Sequence, residues 1–513
     1  MDTFADNTKS VAETSHSRGY DIPELVVWHG QNPEAVMEQM RGVMPEAEKA
    51  PDKSGMLKRL AFETQRQFSH DPAPLEARVA LTAYTESEFR KKAAQIIRMI
   101  SEMPDTLFSF PYAGLFYGMG QPLGRVAFLF PGQGAQYPGM GGALANAFPT
   151  ARYVWDTLGN MEFSGLTIRE VVFAGDADSE EAAQEAFMRL SGADWTNPCI
   201  SVVGEAIFLL FEKMGVRPDA VAAHSFGDIN ALRAAGVFSP EQMIRLTRYR
   251  GELGVSCPLA TRGCILAVPD TFEKTRSILA AHNIEDVWIA NYNTRNQTVL
   301  SGEKESVSKA HQAFANEGVK TRMIPISAAP HCPLAVDVGE NFYAYLADVS
   351  FGRAQCDVYS FLFGRRINSD PELFRKVLRA HIEKPVRFFP QIEQMHHDGV
   401  RIFVEIGPGN ILTSLVEQIL ADRQHVALNT DHKKADPVLV FLNATAELFR
   451  QGRVRDLSVL WEGAEAPDHI APSKSANEST DAALDAETEK RLKKFDMEIA
   501  KIESMRSGRA QTA

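Results

Sequence analysis

The chain reads as an α/β protein: a large α/β core, a βαββαβ unit inserted into it, and a small α/β adaptor ahead of both. Three observations predict this. Buried-type apolar runs alternate with amphipathic helical runs on both sides of a Gly-Pro-rich loop, GRVAFLFPGQGAQYPGMG at 124–141. The stretch 264–326 alone runs strand, helix, strand, strand, helix, strand. At 219–238, DAVAAHSFGDINALRAAGVF, a short apolar segment passes through Ser225 into an amphipathic helix.

From the N-terminus, residues 1–20 are polar and small and predict a flexible lead-in. Structure is expected to start at ELVVWHG, followed by helices over NPEAVMEQMRGVM and MLKRLAFETQRQF, a strand at EARVALTAY, a helix over ESEFRKKAAQIIRMI and an extended PYAGLFYG, which closes an adaptor spanning 21–123. The large domain runs from 124 to 462. Within it, CILAV, the helix Thr271–His282, VWIANY, QTVLSG, KESVSKAHQAFANEG and KTRMIPIS give the ferredoxin-like order. The large domain resumes with VRIFVEIGPGNILTSLV, a strand, glycine turn and helix, and its last element is VLVFLNATAELFRQG. Residues 463–485 are an Ala-, Ser- and Asp-rich linker, expected to be disordered. Leu492, Phe495, Ile499 and Ile502 then predict a short helix within 486–506, about two heptads long.

Composition narrows the function. No apolar run is long enough to cross a bilayer, and the polar start has no secretion-signal pattern, so a cytoplasmic protein is expected. The five cysteines are odd in number and nowhere paired at metal-ligand spacing, which argues against disulfides and zinc. A formal net charge of −12 argues against a general nucleic-acid binder.

Ser225 carries the chemistry. A serine becomes a useful nucleophile when a strained turn exposes its Oγ, a base takes its proton and backbone N–H groups face the developing oxyanion. Such a turn needs small residues two places before and two after the serine, because strand and helix backbones crowd there. Gly227 meets the second requirement, and Ala223 adds only a methyl group at the first. The following helix would aim its N-terminus, with the N–H of Phe226, at the site. Taken alone, the pentapeptide fits a nucleophile and a buried structural serine equally well.

A resemblance breaks the tie. FPGQGAQYPGMG, AAHSFGDINAL, RYRGEL, IANYNTRNQTVLSG, SAAPHCPLA and KPVRFFPQIEQMHHDGVRIFVEIGPG occur in the order and rough spacing of the acyltransferase domains of type I polyketide synthases, which are similar to malonyl-CoA:acyl carrier protein transacylases. The adaptor resembles the linker that joins ketosynthase to acyltransferase in such synthases. The wording of MEFSGLTIREVVF is similar to the iterative and polyunsaturated-fatty-acid-synthase kind. The resemblance implies an α/β-hydrolase-like acyltransferase core with a ferredoxin-like subdomain. It makes Ser225 the acylated nucleophile, His331 its general base, Phe226 the main oxyanion donor and Gln133 a lining residue of that hole. Arg250 becomes the residue that holds a malonyl carboxylate, which suits a planar guanidinium. Members of the family hold the histidine on a backbone carbonyl near the GPG turn, here Gly409 and Asn410. His224 is assigned a shaping role, and His396 and His397, on a polar helix end, are expected to be solvated.

Three positions depart from the family. Asp228 replaces Glu after the second elbow glycine, which shortens a supporting contact. Asn197, in TNPCI, replaces the Gln that precedes Pro in a buried-loop motif, so a polar contact near the acyl group differs. Ala328, Ala329, Pro330 and His331 match neither usual extender-selective pattern. The expected function is transfer of an acyl group, malonyl first, from CoA to the phosphopantetheine of an acyl carrier protein. No bound cofactor or metal is implied, and neither a nucleic acid nor a membrane is an expected partner. Further synthase subunits are expected partners through the adaptor or the C-terminal helix. Two other readings stand beside it: an acyl hydrolase that clears carrier proteins, and an inactive docking scaffold.

Overall fold

A computed structural model describes residues 22–51, 55–70, 77–174, 179–324, 328–462 and 497. The expected lead-in at 1–20, the linker at 463–485 and, Met497 apart, the C-terminal helix at 486–506 lie outside the described residues.

The N-terminal unit contains strands β1 (Glu24–Gly30), β2 (Ala77–Ala83), β3 (Phe108–Phe110) and β4 (Leu115–Met119), paired antiparallel in the order β1-β2-β4-β3. Every residue of β2 is buried, because helices Pro33–Lys49 and Glu86–Glu102 cover one face of the sheet and helix Pro437–Arg450 of the large domain covers the other. Arg78 Nε donates to the Arg450 carbonyl at 2.9 Å, and Tyr84 Oη to Asp436 Oδ2 at 2.8 Å. The large domain's last helix thus belongs to both cores.

The large domain is built on six strands: β5 (Arg125–Phe130), β8 (Ala220–Ala223), β13 (Asp357–Ser360), β14 (Arg365–Ile367), β15 (Val400–Glu405) and β16 (Val426–Asn429). A two-stranded hairpin, β6 (Glu162–Phe163) and β7 (Leu166–Thr167), lies apart from them. The sheet order is β14-β13-β8-β5-β15-β16, parallel except for the edge strand β14. β8 reads AVAA and is wholly buried, as a central parallel strand between helical layers must be. Its small side chains leave room for the loop that follows β5. Parallel strands put their C-terminal ends on one edge, where open α/β sheets bind ligands. Ser225 after β8 and Gly132 after β5 both lie on that edge.

The insert contains β9 (Gly263–Val268), β10 (Val287–Thr294), β11 (Gln297–Glu303) and β12 (Arg322–Ile324), ordered β10-β11-β9-β12 with all pairs antiparallel, the ferredoxin-like arrangement read from the sequence. It has its own core around Leu266, Leu300 and Phe314. β10 is zipped to the large domain: Val386 N–H donates to the Ala290 carbonyl and Tyr292 N–H to the Val386 carbonyl, both at 2.8 Å. Among the described residues no helix is long and apolar enough to cross a membrane.

Two glycines fix the crowding around the turn. A Cβ on Gly227 would lie 2.4 Å from the Phe130 carbonyl oxygen and 2.9 Å from that of Pro131; one on Gly251 would lie 2.2 Å from the Ala193 carbonyl oxygen. The first glycine lets the turn cross β5, and the second lets helix Pro240–Ser256 press on helix Ala193–Lys213. Gly227→Ala is expected to cost about 3 kcal/mol in chemical denaturation, because the obstacle is backbone and cannot swing away. A loss below about 0.5 kcal/mol, the scale of a neutral surface change, would mean that the crossing is looser than described.

Candidate active site

Ser225 adopts φ 55°, a left-handed conformation that a residue with a Cβ holds at a cost of about 1–3 kcal/mol. The helix Gly227–Ala234 starts immediately after it, so Oγ is raised on a sharp strand-to-helix turn. The Gly227, Asp228 and Ile229 N–H groups donate to the carbonyls of His224, Ser225 and Phe226. The Phe226 N–H donates to no other described residue, and the Phe226 ring is fully buried beneath the turn. Gly132 packs against this turn, since a Cβ there would lie 2.8 Å from the His224 carbonyl oxygen and 3.2 Å from Ser225 Cβ.

His331 lies 106 residues downstream, past the insert, and its Nε2 stands 2.8 Å from Ser225 Oγ. Its φ is also positive, at 62°. Nδ1 lies 3.1 Å from the Lys384 carbonyl oxygen, so Nδ1–H donates there and Nε2 keeps the lone pair that accepts the hydrogen bond from Ser225 Oγ. The His331 N–H donates to the Ile382 carbonyl at 2.6 Å. This corrects one expectation: Lys384, not Gly409 or Asn410, holds the imidazole. The reason is topological. Residues 382–386 run beside the end of the insert and are hydrogen-bonded to β10, whereas the Gly409 turn packs on Ala135. Burial first, then the Arg250 charge and His224, push the His331 pKa down from 6.5 to about 3.

Arg250 is buried, with Nη2 3.5 Å from Ser225 Oγ and its guanidinium 5.9 Å from the centre of the Phe226 ring. Burial lowers its pKa to about 9, against the pull of Asp228. Asp228 is pushed well above the carboxylate range by burial, which the Arg250 charge only partly offsets, and its Oδ2 finds no hydrogen-bond partner among the described residues. Arg248, two residues before Arg250, points elsewhere. Pro198, inside helix Ala193–Lys213, has no N–H and so orphans the Asp194 carbonyl four residues earlier, and Arg248 Nη1 donates to that oxygen at 3.1 Å while stacking on Trp195.

The remaining candidates scatter. The Gln133 side chain donates to the Ser191 carbonyl at 3.2 Å. Its loop is anchored by Tyr137 Oη, which donates to buried Asp431 at 2.5 Å. Asn197 lies in a helix rather than in the expected buried loop, because helix Ala193–Lys213 runs through Pro198; its Nδ2 reaches the Thr247 carbonyl at 3.5 Å and its Oδ1 has no partner among the described residues. His224 Nε2 lies 2.9 Å from Asn293 Oδ1, whose orientation is set because Asn293 Nδ2 donates to Gln297 Oε1; His224 thus links the turn to the insert. His397 is exposed, and His396 rests on the Gln424 carbonyl. Sequence reasoning missed Lys384, whose backbone oxygen carries no side-chain signal, and His381, whose Nε2 accepts from Arg250 Nε at 2.9 Å. His381 sits three residues before the KPV motif, which was the one available signal for it.

A parallel α/β sheet with a strained serine at its C-terminal edge, hydrogen-bonded to a histidine that is itself oriented by a carbonyl, is the geometry of the acyl-handling α/β enzymes. Residues 127–452 match the acyl transferase domain family, and the chain belongs to it, carrying an acyltransferase domain. It is 31% identical over 300 residues to the polyketide biosynthesis malonyl CoA-acyl carrier protein transacylase BaeC of Bacillus velezensis, which covers 57% of this chain and 96% of BaeC. It is 30% identical over 362 residues to the phenolphthiocerol synthesis polyketide synthase type I Pks15/1 of Mycobacterium marinum, covering 69% of this chain. The chain spans 16% of the length of that synthase. The solved acyltransferase domain from the second module of the salinomycin polyketide synthase superposes with a TM-score of 0.62 at 27% identity, over 86% of this chain and 96% of that one.

Desolvation and a neighbouring positive charge both disfavour imidazolium, so His331 stays a free base far below its ordinary titration range. With acetyl-CoA as donor, kcat/KM is therefore expected to show no acid limb near 6.5 and to hold down to about pH 5. Arg250→Ala, by removing the repelling charge, should move the limb upward. A wild-type midpoint at 6.5 or higher would contradict the arrangement.

Proposed function

We propose that the chain moves a malonyl group from CoA to the phosphopantetheine thiol of an acyl carrier protein through a Ser225 ester. What carries the reading is the placement of Arg250, a buried guanidinium beside the serine oxygen, where the free carboxylate of a carboxyacyl thioester would lie. The name of the BaeC relative agrees with that substrate and acceptor.

Ser225 Oγ gives its proton to His331 Nε2 and attacks the thioester carbon. The carbonyl oxygen becomes an oxyanion, met by the N–H of Phe226 and the backbone N–H of Gln133; each such donor is worth on the order of 10²–10³ in rate. The C–S bond then breaks, and the imidazolium returns its proton to the CoA sulfur. In the second half, the carrier thiol gives its proton to His331 and attacks the ester carbon, and as the C–Oγ bond breaks the imidazolium returns that proton to Ser225 Oγ. Acyl-CoA and the carrier thiol supply both sides of the exchange, so no further co-reactant is called for. His224 shapes the turn against the insert, and Asn197 supports the helix behind Arg250. The N-terminal unit is read as a linker of the ketosynthase–acyltransferase type, through which other synthase components would dock.

Mass spectrometry after mixing with malonyl-CoA is expected to show a malonyl adduct on Ser225 that a carrier protein discharges, and none in Ser225→Ala. Rapid release of free malonate without carrier would instead mark a hydrolase. Arg250→Ala is expected to lower kcat/KM for malonyl-CoA about 100-fold, the scale of a charged hydrogen-bond pair lost from the site, while acetyl-CoA changes little. Equal losses for both donors would remove the carboxylate-binding role.

A further inference from the structure

We propose that His381 is the positioning residue that holds Arg250 in its carboxylate-facing pose, and that its neutrality is what leaves the arginine's charge available to a carboxyacyl substrate. The inference rests on the carboxylate-binding role of Arg250 proposed above.

Arg250 Nε donates to His381 Nε2 at 2.9 Å. That bond occupies one edge of the guanidinium and turns the terminal nitrogens toward Ser225, with Nη2 3.5 Å from Oγ. For Nε2 to accept, the ring must be neutral with its proton on Nδ1. Its surroundings enforce this: His381 is wholly buried, and its imidazolium form would set N–H donors against a guanidinium. Burial first, then the charge of Arg250, push its pKa well below the ordinary value. Two aromatic rings fix the plane. Phe342 and Phe361 lie nearly parallel to the imidazole, at 2° and 16°, with centroids 6.1 and 6.4 Å away.

Two details separate this role from space-filling. His381 Nδ1 is buried with no hydrogen-bond partner among the described residues, a cost that a phenylalanine of similar shape would avoid. The acceptor nitrogen is therefore the reason a polar ring suits this place. Arg250 also lacks an ion pair among the described residues; Asp228 acts on it only through space, and Asp228 Oδ2 has no partner. An arginine anchored by a carboxylate would have its charge cancelled before substrate arrived. Anchored by a neutral imidazole, it keeps that charge while its rotamer is fixed.

His381 also begins the segment whose next carbonyls, Ile382 and Lys384, hold the backbone and Nδ1 of His331, and whose Val386 is zipped to β10. One short segment thus sets both the base and the arginine against the same serine.

The test measures acylation of the full chain by malonyl-CoA and acetyl-CoA in His381→Gln, His381→Phe, His381→Glu and Arg250→Ala, with circular dichroism and melting curves alongside. Phe keeps the shape and removes the acceptor. It should raise KM for malonyl-CoA and lower the malonyl-to-acetyl ratio of kcat/KM at least tenfold, the scale of a lost charged hydrogen bond. Gln retains a neutral acceptor and should stay within about threefold of the wild-type ratio. Glu also accepts but cancels the charge, so its ratio should fall as in Phe. An unchanged ratio in His381→Phe, or equal falls in Phe and Gln, overturns the proposal. Should Phe fail to fold, the Glu and Gln pair decides, and an unchanged ratio in Glu overturns it. If Arg250→Ala leaves the ratio unchanged, the carboxylate reading fails first; if it collapses the ratio while His381→Phe does not, only the role of His381 fails.

Discussion

The site depends on one hydrogen bond, between Ser225 Oγ and His331 Nε2, made by two residues that both hold a left-handed backbone. Neither conformation would persist in a free chain, because each costs free energy that surrounding packing must offset. For Ser225 that packing is the crossing of β5 by Gly227, together with the fully buried Phe226 ring. For His331 it is the pair of bonds to the Ile382 and Lys384 carbonyls. Ser164, Asn283 and Asp286 also hold positive φ elsewhere, but at the site the strain falls on the two groups that must meet. It resides in backbone, where side-chain motion cannot relieve it.

Electrostatics around this pair follow from burial. Three imidazoles, His224, His331 and His381, are all pushed toward neutrality by the loss of water, and Arg250 adds repulsion to the last two. Among the described residues the site therefore presents neutral imidazoles and the buried Arg250 guanidinium. A free carboxylate would find no competing ion pair on that arginine among the described residues, and the low dielectric would strengthen the contact. Asp228, with a raised pKa and an unmet oxygen, tempers the charge without neutralising it.

The architecture distributes these duties across distant parts of the chain. The large domain supplies the serine and the arginine, while the histidine lies in an irregular segment seven residues past β12, the last strand of the insert. Residues 381–386 fasten the two, since their backbone holds His331 and pairs with β10 while His381 holds Arg250. His224, reaching Asn293, makes a second tie between the turn and the insert. A shift of the insert would be felt by the base and the arginine together.

Strands β1, β2, β4, β5, β8 and β15, the ferredoxin-like order of the insert and the turn at Ser225 could be read from the sequence, because each is set locally: alternation and apolar runs mark strands, and Gly227 marks the close crossing. Strands β3, β13, β14 and β16 were missed, being three or four residues long and carrying no periodicity. Through its likeness to known acyltransferases the sequence also singled out His331 and Arg250, but could not name what holds them. That Lys384 rather than the Gly409 turn orients the imidazole, that His381 anchors the arginine, that Gln133 turns its side chain to Ser191 and that Asn197 sits in a helix were decided by tertiary structure alone. The physical reason is that a backbone carbonyl looks the same in every residue, and a side chain's partner depends on which distant segment packing brings within 3 Å of it.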